Sequence, residues 1–205
     1  GVVAGLLEKT GKNPNGKGNN TIGSIAGANF LAVTAYNCGY QEGAKAVNSK
    51  IKVYTDFDDG TFGNTANAKG IGQNQIAHHV DIGFQVDGGA GLGYLQAFEE
   101  AHKYGIGVDA DQDYISPWII TSALKRVDEA VYLTTKALTK GKFHAGPNYY
   151  SLKNNATGIV TISHGANGTH HIPSSILKVA IADEAKIKSG KIKVNPVCKL
   201  PGTPK

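Results

Sequence analysis

The pattern that most constrains this chain is a regular alternation of short apolar segments with longer amphipathic ones. Thr21–Ala26 (TIGSIA), Ile51–Phe57 (IKVYTDF), Ile82–Val86 (IGFQV), Ile106–Asp109, Trp118–Thr121 and Gly158–Ser163 (GIVTIS) read as strands. Phe30–Val47, Thr65–His79, Tyr94–Tyr104, Ser122–Thr139 and Ser174–Ser189 read as the helices between and after them. The last of these opens behind Pro173 and closes before Gly190, as helix punctuation requires. Val2–Glu8 reads as the end of a helix, and Gly11–Asn20 as a loop dense in turn residues. Strands alternating with helices imply βαβ units. The expected fold is therefore α/β, a parallel sheet with helices on both faces and right-handed crossovers. Such sheets bind ligands beyond the carboxyl ends of their strands. The segments to inspect are Gly27–Phe30, Asp58–Phe62, Asp87–Gly91, Asp109–Gln112 and Thr121–Lys125.

Several function classes are disfavoured. No apolar run approaches the 18 residues of a bilayer-spanning helix. The net charge of +5 resides in the segment from His170 onward, where seven lysines face only Asp183 and Glu184. That segment has no arginine and no aromatic residue to stack on bases, so it reads as a solvated face, and no nucleic acid is expected as a partner. Histidines occur as His78-His79 and His170-His171, with His102, His144 and His164 alone; no H-E-x-x-H and no C-x-x-C is present, so no metal or other cofactor is expected. Gly11-x4-Gly16-Lys17 approaches a P-loop, but Gly18 replaces the hydroxyl residue and the segment precedes a strand. No G-x-S-x-G occurs, and no nucleophile and base can be named, so the chain is not read as an enzyme. Cys38 and Cys198 can form one long-range disulfide outside the cytoplasm, fastening the tail to the first full helix, or stay as two thiols. Sequons at Asn19, Asn155 and Asn167 fit an exported chain.

Two constellations carry chemistry. Asp87-Gly88-Gly89-Ala90-Gly91-Leu92-Gly93 follows a strand and opens a helix, so its backbone N–H groups can face a ligand without Cβ obstruction. Asp109, at the end of a strand, can accept two hydroxyl hydrogen bonds. Lys125, read as lying in the first turn of the next helix, can donate to the same ligand. A carboxylate and an ammonium at one sheet edge suit the adjacent hydroxyls of a sugar.

In order along the chain stand Gly39-Tyr40-x-x-Gly43-Ala44-Lys45-Ala46-Val47-Asn48, Asp59-Gly60-Thr61-Phe62, Gly88–Gly93 (GGAGLG), Ile106–Gln112 (IGVDADQ), Ile119–Tyr132 (IITSALKRVDEAVY), Gly141-Lys142-Phe143 and Ile187–Val194. This succession, from Val3 to Val194, resembles the basic membrane protein family, solute-binding lipoproteins of ABC importers, several of which bind purine nucleosides. The resemblance implies a type I periplasmic-binding-protein lobe. Residues 1–121 would be the first part of the second, carboxyl-terminal lobe. Residues 122–140 would be a helix returning to the first lobe, 141–194 the remainder of the second lobe, and 195–205 a tail.

The resemblance also implies roles. Phe62 falls where the family stacks an aromatic on the base, and Gly88, Gly89 and Gly91 fall on its ribose-side glycine loop. Asp109 falls on its ribose-binding aspartate and Lys125 on its sugar-contacting lysine. Asp111 and Gln112 match as loop-capping residues. Asp87 stands where the family has a small residue and would add negative charge beside the sugar. The expected partners are a purine nucleoside or similar ribose-bearing ligand, an ABC permease, and a second copy or second chain completing the cleft. The expected location is extracytoplasmic, at a cell surface or in a periplasm, with a lipidated anchor upstream of Gly1. Half of a clamp that binds at about −8 kcal/mol would retain about −4 kcal/mol, near millimolar. The other reading considered is a structural, self-assembling protein that reuses such a lobe.

Overall fold

The structure, a computed structural model, describes residues 1–13, 16–161 and 172–204. Helix α1 (Val2–Thr10) precedes β1 (Thr21–Ala26), α2 (Leu31–Val47), β2 (Lys52–Phe57), α3 (Thr65–Ala77), β3 (Ile82–Val86), α4 (Gly91–Glu100) and β4 (Tyr104–Asp109). β5 (Ile119–Lys125), α5 (Val127–Thr139), a short 3-10 turn at Leu152–Asn154, β6 (Thr157–Ile159) and α6 (Ser174–Lys188) complete it. The strand order is β2-β1-β3-β4-β5-β6. The first five strands run parallel; β6 pairs antiparallel to β5.

The expected α/β architecture is observed, with helices on both faces. On one face Val3, Ala4 and Leu7 of α1, Val33, Tyr40 and Ala44 of α2, and Ile176 and Ala180 of α6 pack over the sheet. On the other, Ala68 of α3 and Tyr94 and Phe98 of α4 form a second cluster with Ile25 and Val80. β1 and β3 are buried along their whole length, as strands covered on both faces must be. Gly83 in β3 lets Phe98 sit directly on the strand: a Cβ there would overlap the phenyl ring. Gly83→Ala is therefore expected to cost about 1–3 kcal/mol of stability by overpacking, measured by urea unfolding; an unchanged midpoint would refute that packing.

The largest differences from the sequence reading are at α4, at the β5–α5 junction and at β6. The helix expected over Tyr94–Tyr104 runs from Gly91 to Glu100, and Tyr104 opens β4. His102 ends it in the left-handed region (φ 52°), while Lys103 N–H closes back on the Phe98 carbonyl at 2.8 Å. This is the work usually done by glycine. The helix expected from Ser122 begins at Val127. Ser122–Lys125 belong to β5 instead, where Asp109 pairs with Leu124 on one side and Thr157 with Lys125 on the other. Lys125 thus ends a strand and does not open a helix. β6 is shorter than expected, starts at Thr157 and is antiparallel; positions from Ile162 to Ser163 of that expectation, with His164, Asn167 and His170-His171, lie outside the described residues.

The tail covers the open edge of the sheet. Cys38 of α2 and Cys198 form a disulfide with Cα atoms 5.6 Å apart. Thr55 N–H donates to the Pro201 carbonyl at 2.7 Å, and Thr203 N–H to Asp56 Oδ1 at 2.9 Å. Gln41 Nε2 donates to the Lys199 carbonyl at 3.0 Å. The Thr55 N–H and the Asp56 side chain of edge strand β2 are thereby paired within the chain, which blunts that edge against edge-to-edge association.

Candidate functional site

At the carboxyl ends of β1 to β5 the sheet gathers both predicted constellations. The first is an aromatic set against the glycine turn. The loop Asp58–Asn64 is folded by Asp59, whose carboxylate accepts from Thr61 N–H (2.9 Å), Thr61 Oγ1 (2.7 Å) and Asn64 Nδ2 (2.9 Å). Those donors, the Thr61 side chain foremost, hold its pKa below the usual aspartate range. Asn64 then caps α3 by accepting from Asn67 N–H at 3.1 Å. Phe62 is set at φ 58°, a strained conformation for a bulky side chain. Its carbonyl accepts from Ala90 N–H at 2.9 Å, and its Cβ lies 3.4 Å from the Cβ position of Gly88. A Cβ on Gly27, at the end of β1, would overlap the Phe62 ring. Phe30 stands edge-on to Phe62 with centroids 6.3 Å apart and is 50% exposed.

Within the turn, Gly88 and Gly89 are exposed, with Gly88 at φ 50°. Gly91 is placed differently. It is buried, its N–H donates to the Asp87 carbonyl at 3.1 Å, and a Cβ there would overlap Gln85. Its place is in the packing of α4 against β3.

The second set is the ion pair. Lys125 Nζ lies 2.8 Å from Asp109 Oδ1, with the two side chains 50% and 45% exposed. A pair so open to water contributes about 0–1 kcal/mol to folding. Asp109 nonetheless adopts φ 69°. Strain of this kind concentrates where side chains are aimed for a purpose. The half-buried Tyr36, on α2, has its hydroxyl pKa raised by burial and then by the charge of Asp109, which places it toward the same edge.

Gln112 ties the two sets together. Its Oε1 accepts from Gln85 Nε2 (2.8 Å) and Val108 N–H (2.9 Å), while its own N–H donates to Ser122 Oγ at 3.0 Å. Gln85 Oε1 in turn accepts from Asp87 N–H at 2.9 Å. The turn after β3 and the loop after β4 are thus one hydrogen-bonded unit. Ser122 is fully buried within it. The structure places Phe62, Gly88, Gly89, Asp109 and Lys125, the residues expected from the sequence, at this end of the sheet, and Gln112 bonds within the loop after β4. Sequence reading gave no place to Tyr36 or to the Gln85–Gln112 link, because Tyr36 and Gln85 lie in no motif and only the fold brings Gln85 to Gln112. Among the described residues no group of three His, Cys, Asp or Glu is arranged to hold a metal ion, and no helix is long and apolar enough to cross a membrane.

A sequence model described as Bmp, ABC transporter substrate-binding protein PnrA-like, matches residues 1–197. The chain belongs to the Bmp family. Basic membrane protein D of Borreliella burgdorferi is 34% identical over 95% of this chain and 54% of its own length. The ABC transporter nucleoside-binding protein BmpA of Lactococcus lactis is 30% identical over 95% of this chain and 56% of its own. The chain spans about half the length of the curated relatives it matches. Among solved structures, an ABC transporter solute-binding protein from Aeropyrum pernix aligns over 94% of this chain and 61% of its own with a TM-score of 0.73 at 22% identity. That likeness supports the type I periplasmic-binding-protein fold. The family is described as one of ABC transporter substrate-binding proteins.

Proposed function

We propose that this Bmp chain forms the ribose-gripping lobe of an extracytoplasmic nucleoside receptor that delivers its ligand to an ABC permease. The single observation that carries the reading is the exposed Asp109–Lys125 ion pair at adjoining strand ends. Asp109 accepts from two ribose hydroxyls and Lys125 donates to the same sugar. Gly88 and Gly89 let the turn approach it, and Phe62, steadied edge-on by Phe30, supplies a stacking face for the base. The lobe's other requirement is a partner for α5. That helix buries none of its residues, and Val127, Val131, Tyr132 and Leu138 are each more than half exposed. It serves as the element that packs against an opposing lobe, where the remaining ligand contacts reside.

Calorimetry of the intact native protein with adenosine, guanosine and inosine tests the reading. Binding of at least one near micromolar, about −8 kcal/mol, is expected. Silence with all three would overturn the nucleoside assignment.

A further inference from the structure

Asp87 ends β3 beneath the site, and none of its surface reaches solvent. Both its carboxyl oxygens are buried without a hydrogen-bond donor among the described residues, and so is Oδ2 of Asp58, the residue after β2. Asp58 Oδ1 accepts from Asn67 Nδ2. The two carboxyl groups lie within hydrogen-bonding reach of each other. Gly27, at the end of β1, lies against Asp87 Oδ1 and the uncharged ring of Phe62. The ionisable groups that act on Asp87 are Asp58 and then Asp59, both from the β2–α3 loop and both anionic. Two buried carboxylates side by side with no cation would repel each other and pay the full desolvation penalty. A single proton between them removes one of the two charges and joins Asp58 Oδ2 to one Asp87 oxygen.

We propose that one proton shared by Asp87 and Asp58 clasps the Phe62 loop onto the glycine turn, and that its loss in alkaline solution opens the clasp. Burial foremost, then the contact with Asp58, pushes the Asp87 pKa up to about 8. At neutral pH the pair holds its proton. Asp87 then adds no charge beside the sugar, contrary to what its place in the sequence suggests. The clasp supplements the Ala90-to-Phe62 backbone bond as the link between loop and turn. Unfolded, Asp87 would lose its proton near pH 4. Its contribution to stability is therefore complete in acid and declines as pH rises to about 8. The consequence for ligand capture rests on the proposed stacking role of Phe62.

Carboxyl-carbon NMR of the labelled intact protein should show Asp87 titrating in a step near pH 8; its full ionisation by pH 6 would overturn the clasp. Hydrogen exchange of residues 58–63, corrected for intrinsic rates, should lose about tenfold in protection between pH 7 and 9.5, since like charges then face each other. Asp87→Asn, whose amide donates to Asp58 at any pH, should abolish that loss; an equal loss in the variant would also overturn the clasp. If that variant does not fold, Asp58→Asn serves the same purpose. Nucleoside affinity should fall about tenfold over the same range, the worth of one stacked base. A titration near pH 8 together with calorimetric silence at both pH values would sustain the clasp and refute the nucleoside reading.

Discussion

Replacing Asp109 by Asn in the intact native protein is expected to weaken purine nucleoside binding by about 100-fold. The Asp109 carboxylate is proposed to accept two ribose hydroxyls. Each hydrogen bond to a charged group is worth roughly 1.5–3 kcal/mol, and the amide keeps part of one of them. Asn is the informative substitution because it tolerates the left-handed backbone that Asp109 adopts at φ 69°. Alanine there would mix lost binding with backbone strain. Folding should scarcely change, because the ion pair with Lys125 is half exposed. Calorimetry reads the affinity and thermal unfolding reads the fold. Equal affinity in wild type and variant would remove Asp109 from the ribose site, and a large fall in melting temperature would make it a structural residue.

The other large effect is on stability. Changing both Cys38 and Cys198 to Ser should destabilise the protein by about 5 kcal/mol, because the bond closes a loop of 160 positions and restricts the unfolded chain accordingly. For a domain of this size that lowers the melting temperature by roughly 10–20 °C. The tail from Asn195 to Pro204 should also become the first site of proteolysis. Its remaining hold is a few bonds: to Glu42 and Gln41 of α2, and to Thr55 and Asp56 of β2. A double variant melting within 2 °C of wild type would show that those bonds fasten the tail unaided.

Much of this protein is legible before any coordinates. The largely apolar runs at Thr21–Ala26 and Ile82–Val86 match β1 and β3 residue for residue, because strands buried on both faces are mostly apolar and hydrogen-bond the few polar side chains they carry, such as Ser24 and Gln85. Asp109 and the glycine turn were visible because their places after strands follow from the βαβ rule. The β5–α5 boundary was not visible. Ala123-Leu124-Lys125 has good local helix propensity, and only pairing with β4 and β6 draws it into the sheet. The end of α4 was hidden because His102, not glycine, takes the left-handed position.

The alternation of apolar segments by itself determined the α/β layering, and with it the edge at which the candidate site is proposed, since burial and strand direction follow from local pattern. Whether Cys38 and Cys198 would meet was left open in the chain's order, and the fold joins them. Tertiary structure alone also decided the state of the site. Asp87, which by its place in the sequence would add negative charge beside the sugar, is enclosed beside Asp58, and burial with that contact raises its pKa. Ionisation depends on the solvent and charges surrounding a group, and those surroundings come from strands far apart in the chain.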